Sequence, residues 1–130
     1  MGTAYLIDTN TIIYLLDGKL PSNAEKFLST LIDNSCQLSV ISQIELLSWA
    51  SPSPESYSIL ETFVADCQII DLSIGIIQQT IRLRQAYKMK LPDAVIAATA
   101  LVHGWTLISR NDGDFRKIAE LSYINPFTDL

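Results

Sequence analysis

Short apolar segments alternate along the chain with longer segments in which apolar residues recur at helical spacing. The short segments predict buried strands at residues 3–7, 37–41, 68–71 and 105–109, and an edge strand at 123–125. The longer segments predict helices at about residues 42–50, 54–65, 73–87 and 92–103. Two further helices are predicted to begin near Thr9 and Pro21, and a short turn or helix is predicted at 115–121.

Residues that favour helix ends support this division. Ser53 followed by Pro54 is typical of a helix start, and Pro92 is predicted to start the helix that Gly104 ends. Strands that alternate with helices indicate an α/β fold, with a mostly parallel sheet of four or five strands covered on both faces. The 130 residues are enough for a single domain with its own hydrophobic core.

The charge is unevenly distributed along the chain. Its net value of −5 argues at first against a nucleic-acid partner. Residues 82–117, however, contain seven of the nine Lys and Arg residues and three of the fourteen acids, so this stretch carries +4 and the remainder −9. These bases form either a solvated helix face or a basic rim beside a site for nucleic acid.

The two cysteines and the longest apolar run bear on the cellular compartment. Cys36 and Cys67 show neither Cys-x-x-Cys spacing nor a paired His, so we expect two reduced core thiols rather than a disulfide. The longest uncharged apolar run, residues 94–102, is too short to span a bilayer, and no secretion signal is visible. These features predict a cytoplasmic protein with no membrane partner.

Acidic residues recur where predicted strands end or predicted helices begin. Asp8 ends the first strand, Glu45 lies in the first turn of the helix after the second strand, and Asp93 opens the helix that feeds the fourth. Asp112 and Asp114 directly follow that fourth strand. Because the carboxyl ends of parallel strands lie at one edge of the sheet, we expect these carboxylates to meet in one acidic pocket.

Such a pocket needs either retained protons or a cation. Two charges about 5 Å apart repel by roughly 3 kcal/mol at an effective dielectric near 20. Carboxylate oxygens with no His or Cys nearby suit Mg²⁺ or Mn²⁺ better than zinc. An ion of this kind activates water for attack on a phosphodiester, so the pattern predicts a metal-dependent phosphodiesterase.

Each acid also has a purely structural interpretation, as a helix cap, a first-turn acid or a turn residue. Thr9 or Asn10 is able to cap the first helix in place of Asp8, so capping alone does not account for Asp8. Glu45 stands three residues after Ser42, which is the spacing of a capping box. Taken singly, Glu45 is therefore the weakest member of the set.

Four motifs in this order resemble those of PIN-domain ribonucleases, most closely the VapC-type toxins of toxin–antitoxin pairs. They are Leu6-Ile7-Asp8-Thr9-Asn10, Ser42-Gln43-Ile44-Glu45-Leu46, Leu91-Pro92-Asp93-Ala94, and the run from Leu107 to Phe115. The resemblance covers residues 1–130 as a single PIN domain and implies a three-layer α/β/α sandwich. It also implies an endoribonuclease dependent on Mg²⁺ or Mn²⁺, which inhibits translation until an antitoxin covers its site and which forms homodimers.

By this resemblance Asp8, Glu45 and Asp93 are catalytic, metal-binding acids. The fourth acid falls in the turn at 111–114, where many relatives carry an acid at the position of Asn111. Asp114 is the preferred fourth acid, and Asp112 is the alternative. Supporting roles fall to Asn10, Ser42, Ser109, Asn111 and Asp112, and contacts with the RNA backbone to Arg110 and Lys90.

Other functional classes fit the sequence less well. A receiver-like domain needs a Lys after a late strand, and none follows the strand at 105–109 in a suitable place. A haloacid-dehalogenase-like phosphatase needs an Asp at the position of Asn10. The main alternative is a catalytically silent PIN-like module that binds a protein partner. Retention of the three main acids argues against it, and magnesium binding separates the two hypotheses.

Overall fold

The computed structural model of the protein describes residues 4–49 and 53–130. Within these ranges the elements are β1 (Tyr5–Ile7), α1 (Thr9–Leu16), α2 (Ser22–Asn34), β2 (Gln37–Ser39), α3 (Val40–Ser48), α4 (Pro54–Ala65), β3 (Gln68–Ile70), α5 (Ile74–Ala86), α6 (Leu91–His103), β4 (Thr106–Ile108), α7 (Asp112–Phe115) and β5 (Tyr123–Ile124). The predicted strand start at Thr3 and the predicted helix end at Ala50 lie outside the described residues. In the described part, no helix is both long and apolar enough to cross a membrane.

The five described strands form one parallel sheet in the order β3-β2-β1-β4-β5. The chain builds outward from β1 to β3, and α5 and α6 then return it to β4 on the other side of β1. The strand order thus reverses between β1 and β4, which is where open α/β sheets bind ligands, at the carboxyl ends of the strands. The predicted fold class is confirmed, with a sheet that is wholly parallel across its five strands.

Alternate side chains of the central strands enter two separate cores. Leu6 pairs with Leu107, and Ile7 pairs with Ile108. The two leucines pack against α5 and α6 on one face, whereas the two isoleucines pack against α1 to α4 on the other. All four side chains are fully buried, and each such burial contributes roughly 1.5–3 kcal/mol. The result is a three-layer α/β/α sandwich with its strands buried on both faces.

Helix α6 is positioned by its burial and by its two ends. Every residue from 94 to 100 is buried, and the small side chains of four alanines among them allow close packing on the sheet. Gly104 ends the helix in the left-handed conformation, with φ of 68°, as the sequence predicted. Pro92 lies in the first turn, one residue later than predicted, because the helix begins at Leu91. Asp93 is therefore held in the first turn of a rigid, buried helix.

The cap of α1 differs from the prediction. Asp8 is the N-cap, and its Oδ1 accepts a hydrogen bond of 2.8 Å from the Thr9 N–H. Thr9 and Asn10 are consequently the first helical residues rather than caps. Asp8 thus ends β1 and starts α1 at once, which fixes its carboxylate at the edge of the sheet.

The start of α3 also differs, and the capping-box interpretation is wrong. Ser39 is the N-cap and accepts from the Ile41 N–H at 3.1 Å, so the helix begins at Val40. Ser42 is therefore inside the first turn, with its side chain fully buried, and Glu45 lies in the second turn instead of the first. Neither the Ser42 nor the Glu45 side chain therefore caps α3.

Candidate active site

An open pocket of about 520 Å³ lies where the carboxyl ends of β1 and β4 meet the first turns of α1 and α6. The residues that line it come from the ends of β1 and β4 and from α1, α3, α6 and α7. Its lining comprises Asp8, Thr9, Asn10, Ile13, Glu45, Ser48, Trp49, Lys90, Pro92, Asp93, Asn111 and Asp114. The structure thus brings together four of the predicted acids, Asp8, Glu45, Asp93 and Asp114, whereas Asp112 is not part of the lining.

Asp8 is buried at the floor of this pocket, with 6% of its surface exposed. Its Oδ1 accepts from the Thr9 N–H, and its Oδ2 accepts from the Ser109 hydroxyl at 2.8 Å. Burial raises the pKa of Asp8, and these two hydrogen bonds only partly oppose the rise. Each carboxylate oxygen keeps a further lone pair, so the fixed side chain remains able to accept from water or to bind a cation.

Glu45 is held by Thr9, a residue to which the sequence analysis gave no role in the site. The Thr9 hydroxyl lies 2.7 Å from Glu45 Oε1 and 2.9 Å from the Ser42 hydroxyl. Thr9 is the donor in both contacts, so its single proton is shared between the Ser42 oxygen and the Glu45 carboxylate, and the contact with Glu45 is the shorter. The Thr9 hydroxyl therefore fixes the direction of the exposed Glu45 carboxylate, with buried Ser42 beside it.

Asp93 shows the electrostatic cost of gathering acids in one place. Burial, together with the negative charges of Asp8 and Asp114, raises the pKa of Asp93 from 3.8 to about 6. Glu45 contributes a smaller repulsion in the same direction. The pocket is therefore a site where a cation is favoured, because it would offset the repulsion between these carboxylates.

Asn111 occupies the place where an acid was expected and supports Asp114 instead. It is the N-cap of α7, because its Oδ1 accepts from the Asp114 N–H at 3.3 Å. Its amide group donates to Asp114 Oδ2 at 2.8 Å. A short helix is thus present at Asp112–Phe115, because Asn111 starts it there, and the turn or helix predicted at 115–121 is found as turns at 116–117 and 119–120.

Asp112 points away from the pocket and stabilises the C-terminal segment. Its Oδ1 accepts from the Tyr123 hydroxyl at 2.7 Å and from the Asn125 amide at 3.2 Å, and it also contacts Arg116. The Tyr123 and Asn125 hydrogen bonds, more than the nearby Arg116, lower the pKa of Asp112. Of the two candidates for the fourth acid, the geometry favours Asp114.

The two predicted cationic contacts occupy different places. Lys90 lines the pocket itself as the N-cap residue of α6. Arg110 lies in an adjoining hollow that shares Asp8, Asn10 and Asn111 with the pocket. There its guanidinium group stacks over the Phe127 ring at 4.0 Å from the centroid. Both cations therefore lie within reach of a polyanion that crosses the pocket mouth.

The pocket also has an apolar wall formed by Ile13 and Trp49, and Trp49 is 38% exposed. Ile13 follows the helical spacing of apolar residues that is typical of a core position, and a single tryptophan at a helix end is no signal for a site. Their position becomes apparent only when α1 and α3 pack together.

The donor set of the pocket fits a hard divalent cation in kind. It offers carboxylate oxygens and an amide oxygen, without His or Cys, which is the preference of Mg²⁺ and Mn²⁺. Among the described residues, no three His, Cys, Asp or Glu side chains are already arranged as a group able to hold a metal. Mg²⁺ does not need such a cage, because it commonly keeps several waters and uses one or two carboxylates.

Comparisons with known proteins agree with this architecture. A toxin–antitoxin complex from Klebsiella pneumoniae is 29% identical, with a TM-score of 0.75, and the match covers 95% of this chain and 98% of that one. VapBC2 from Rickettsia felis, bound to a DNA fragment from its promoter, is 25% identical, with a TM-score of 0.79 and coverage of 94% and 98%. DNA-bound VapBC from Salmonella typhimurium, at 20% identity, TM-score 0.81 and coverage of 96% and 99%, shares the fold. No curated protein was found to match.

The family assignment rests on a match that extends over most of the chain. The family model described as PIN domain matches residues 5–121, which include every element from β1 to α7. The same range contains the four acids of the pocket and the residues that hold them. The resemblance seen in the sequence is thereby confirmed, and the chain belongs to the PIN domain family.

Proposed function

We propose that this protein is a metal-dependent endoribonuclease that acts in the cytoplasm as the toxin of a toxin–antitoxin module. The observation that carries the proposal is the convergence of Asp8, Glu45, Asp93 and Asp114 in one pocket, where burial and the neighbouring acids raise the pKa of Asp93 to about 6. An unneutralised cluster of this kind is destabilising, and a divalent cation offsets its charge. Membership of the PIN domain family supports nuclease activity.

The four acids and the side chains that hold them have defined parts in the proposed reaction. Asp8, Asp93, Glu45 and Asp114 would hold Mg²⁺ or Mn²⁺, either directly or through waters. The bound cation supplies activation of water and stabilisation of charge on the phosphodiester. Ser109 holds Asp8, and Asn111 holds Asp114, so that both carboxylates are ordered before the substrate binds. An ordered carboxylate then accepts a hydrogen bond from the attacking water and directs it at phosphorus.

The basic residues around the pocket would position the RNA backbone. Lys90 at the mouth and Arg110 in the adjoining hollow present cations to phosphates on either side of the scissile bond. Stacking on Phe127 holds the Arg110 guanidinium in place. These contacts act on the backbone rather than on bases, so they account for substrate binding and not for the choice of a sequence.

The partner proposed for this chain is an antitoxin protein. Support comes from the similar structures, which are described as toxin–antitoxin complexes from several bacteria. We propose further that the chain forms a homodimer. Light scattering after size-exclusion chromatography measures that state directly.

Cleavage of RNA by the purified chain tests the proposed activity. We expect Mg²⁺ or Mn²⁺ to support endonucleolytic cleavage of a total RNA preparation, EDTA to abolish it, and added Mg²⁺ to restore it, since the cation neutralises the pocket and activates water. Sequencing of the new RNA ends identifies the target. A chain that neither binds Mg²⁺ by calorimetry nor cuts RNA would support the silent binding module instead.

Thr9→Val tests the hydrogen bond from the Thr9 hydroxyl that orients Glu45. Valine has nearly the same shape but lacks the hydroxyl, so Glu45 loses its donor while packing is retained. We expect the cleavage rate to fall by roughly 10- to 100-fold, as for other residues that orient metal ligands. Thr9→Ser keeps the donor and should retain most of the activity. Activity lost in Thr9→Ser but kept in Thr9→Val would show that the threonine methyl group, not the hydrogen bond, is what matters.

A further inference from the structure

Two thiols lie close together at the edge of the sheet opposite the acidic pocket. Cys36 immediately precedes β2 and Cys67 immediately precedes β3, and these two strands are neighbours. The Gln68 N–H donates to the Cys36 carbonyl at 2.8 Å, which holds the two backbones together beside the cysteines. The two Sγ atoms are 2.9 Å apart.

The surroundings of the pair give the two thiols different access to solvent. Cys36 is 7% exposed, whereas Cys67 is only partly buried, with its Sγ 3.3 Å from the Phe63 carbonyl oxygen. Both side chains belong to the core between the sheet and α1 to α4. A disulfide bond has a length of about 2.05 Å, so the sulfur atoms need to approach by less than about 1 Å to form one.

We propose that Cys36 and Cys67 are an oxidative modification site, at which hydrogen peroxide converts the two thiols into an intramolecular disulfide. This inference goes beyond the proposed nuclease function, because it concerns residues outside the pocket. The bond would close residues 36–67 into a loop. That loop contains β2, α3 and α4, and therefore the helix that carries Glu45.

The chemistry balances with one peroxide per pair of thiols. The Cys67 thiolate attacks one peroxide oxygen, the O–O bond breaks, and the products are a Cys67 sulfenic acid and hydroxide, which takes up the thiol proton to form water. The Cys36 sulfur then attacks the Cys67 sulfur and expels hydroxide, which takes the Cys36 proton as a second water. The contact between the thiols lowers the pKa of Cys67 and, together with burial, raises that of Cys36, so Cys67 is the thiol that ionises first.

The position of the bond predicts an effect on stability rather than on the pocket. Cys36 and Cys67 lie at the amino ends of their strands, whereas the acids lie at the carboxyl ends. A crosslink here restricts the unfolded chain and ties the outer strand β3 to β2. Formation of the bond requires the two sulfur atoms to move together by less than about 1 Å.

Oxidation of the purified full chain tests this site. The reduced protein is freed of reductant, treated with hydrogen peroxide, quenched with an alkylating reagent and analysed by intact mass and peptide mapping. We expect loss of two hydrogen atoms, a crosslinked peptide pair containing Cys36 and Cys67, and reversal by dithiothreitol. The melting temperature of the oxidised form should rise by roughly 10 °C.

The single variants Cys67→Ser and Cys36→Ser are the matched controls. Neither forms an intramolecular disulfide, so the same treatment should leave their melting temperatures unchanged. If the buried Cys36→Ser variant does not fold, Cys67→Ser alone carries the comparison, since its side chain is partly exposed. Two thiols that are still alkylated after treatment, a crosslink between two chains, or sulfinic acid alone would each overturn the proposal. None of these readouts uses RNA, so their failure is distinguishable from failure of the nuclease assignment.

Discussion

Asp93→Asn is expected to lower the rate of RNA cleavage by roughly 100- to 1,000-fold without unfolding the protein. The substitution keeps the shape of the side chain but removes the charge that helps to hold a cation in the pocket. It also removes the carboxylate whose pKa is raised to about 6 by burial and by its acidic neighbours. The metal-free variant should therefore melt no lower than the wild type. Cleavage assays and thermal unfolding, run in parallel, measure the two quantities.

Asp112→Asn is the matched control for this prediction. It makes the same chemical change in the turn beside the pocket, but Asp112 faces Tyr123 and Asn125 rather than the acids. We expect it to lower the melting temperature while cleavage continues, and the loss of cleavage in Asp93→Asn purified in the same way excludes contaminating ribonucleases. The opposite result, with cleavage at the wild-type rate in Asp93→Asn and none in Asp112→Asn, would mean that the active site lies around Asp112 and not in the acidic pocket.

Magnesium is expected to stabilise the protein much more at about pH 7.5 than at about pH 5. In the metal-free folded state the pKa of Asp93 is raised from 3.8 to about 6. Between pH 3.8 and about pH 6 the folded state binds more protons than the unfolded state, so the free energy of unfolding falls as the pH rises. Because Asp93 is partly exposed, solvent screening limits this loss to about 1–2 kcal/mol. Bound Mg²⁺ offsets this loss of stability at about pH 7.5. At about pH 5 protons compete with Mg²⁺ for the Asp93 carboxylate.

Thermal unfolding over a series of pH values, with and without Mg²⁺, measures this linkage. At a concentration about 100 times the dissociation constant, Mg²⁺ contributes about 2.7 kcal/mol, or a rise in melting temperature of roughly 10 °C. Asp93→Asn should lose much of this rise and should flatten the pH dependence of the metal-free protein. A metal effect of the same size at both pH values would mean that Mg²⁺ binds away from the acidic pocket.

The sequence was informative where local signals and burial agree. Helix α6 is an example, since a proline in its first turn, a terminal glycine and a run of small apolar residues all indicate one buried helix. The acids converge as expected because strand order and direction alone place the ends of β1, β4 and α6 at one edge. These inferences needed only the alternation of strands and helices.

What the sequence did not reveal depends on contacts between distant segments. Val40 and Ile41 are β-branched and were assigned to a strand, but the Ser39 cap starts α3 there. The hydrogen bond from Thr9 to Glu45 joins residues 36 positions apart, and no local pattern marks it. Asp112 and Asp114 are equivalent in sequence, and their roles separate only because Tyr123 and Asn125 pack against one of them.

The insertion of β4 beside β1 has a consequence for the order in which the acidic pocket is assembled during synthesis. Asp8 is synthesised 101 residues before Ser109, which anchors its carboxylate. Asn111 and Asp114 follow later still. A nascent chain that has not yet reached Asp114 therefore lacks one of the four acids and the side chains that hold Asp8 and Asp114, so the pocket is completed only after β4 has been synthesised.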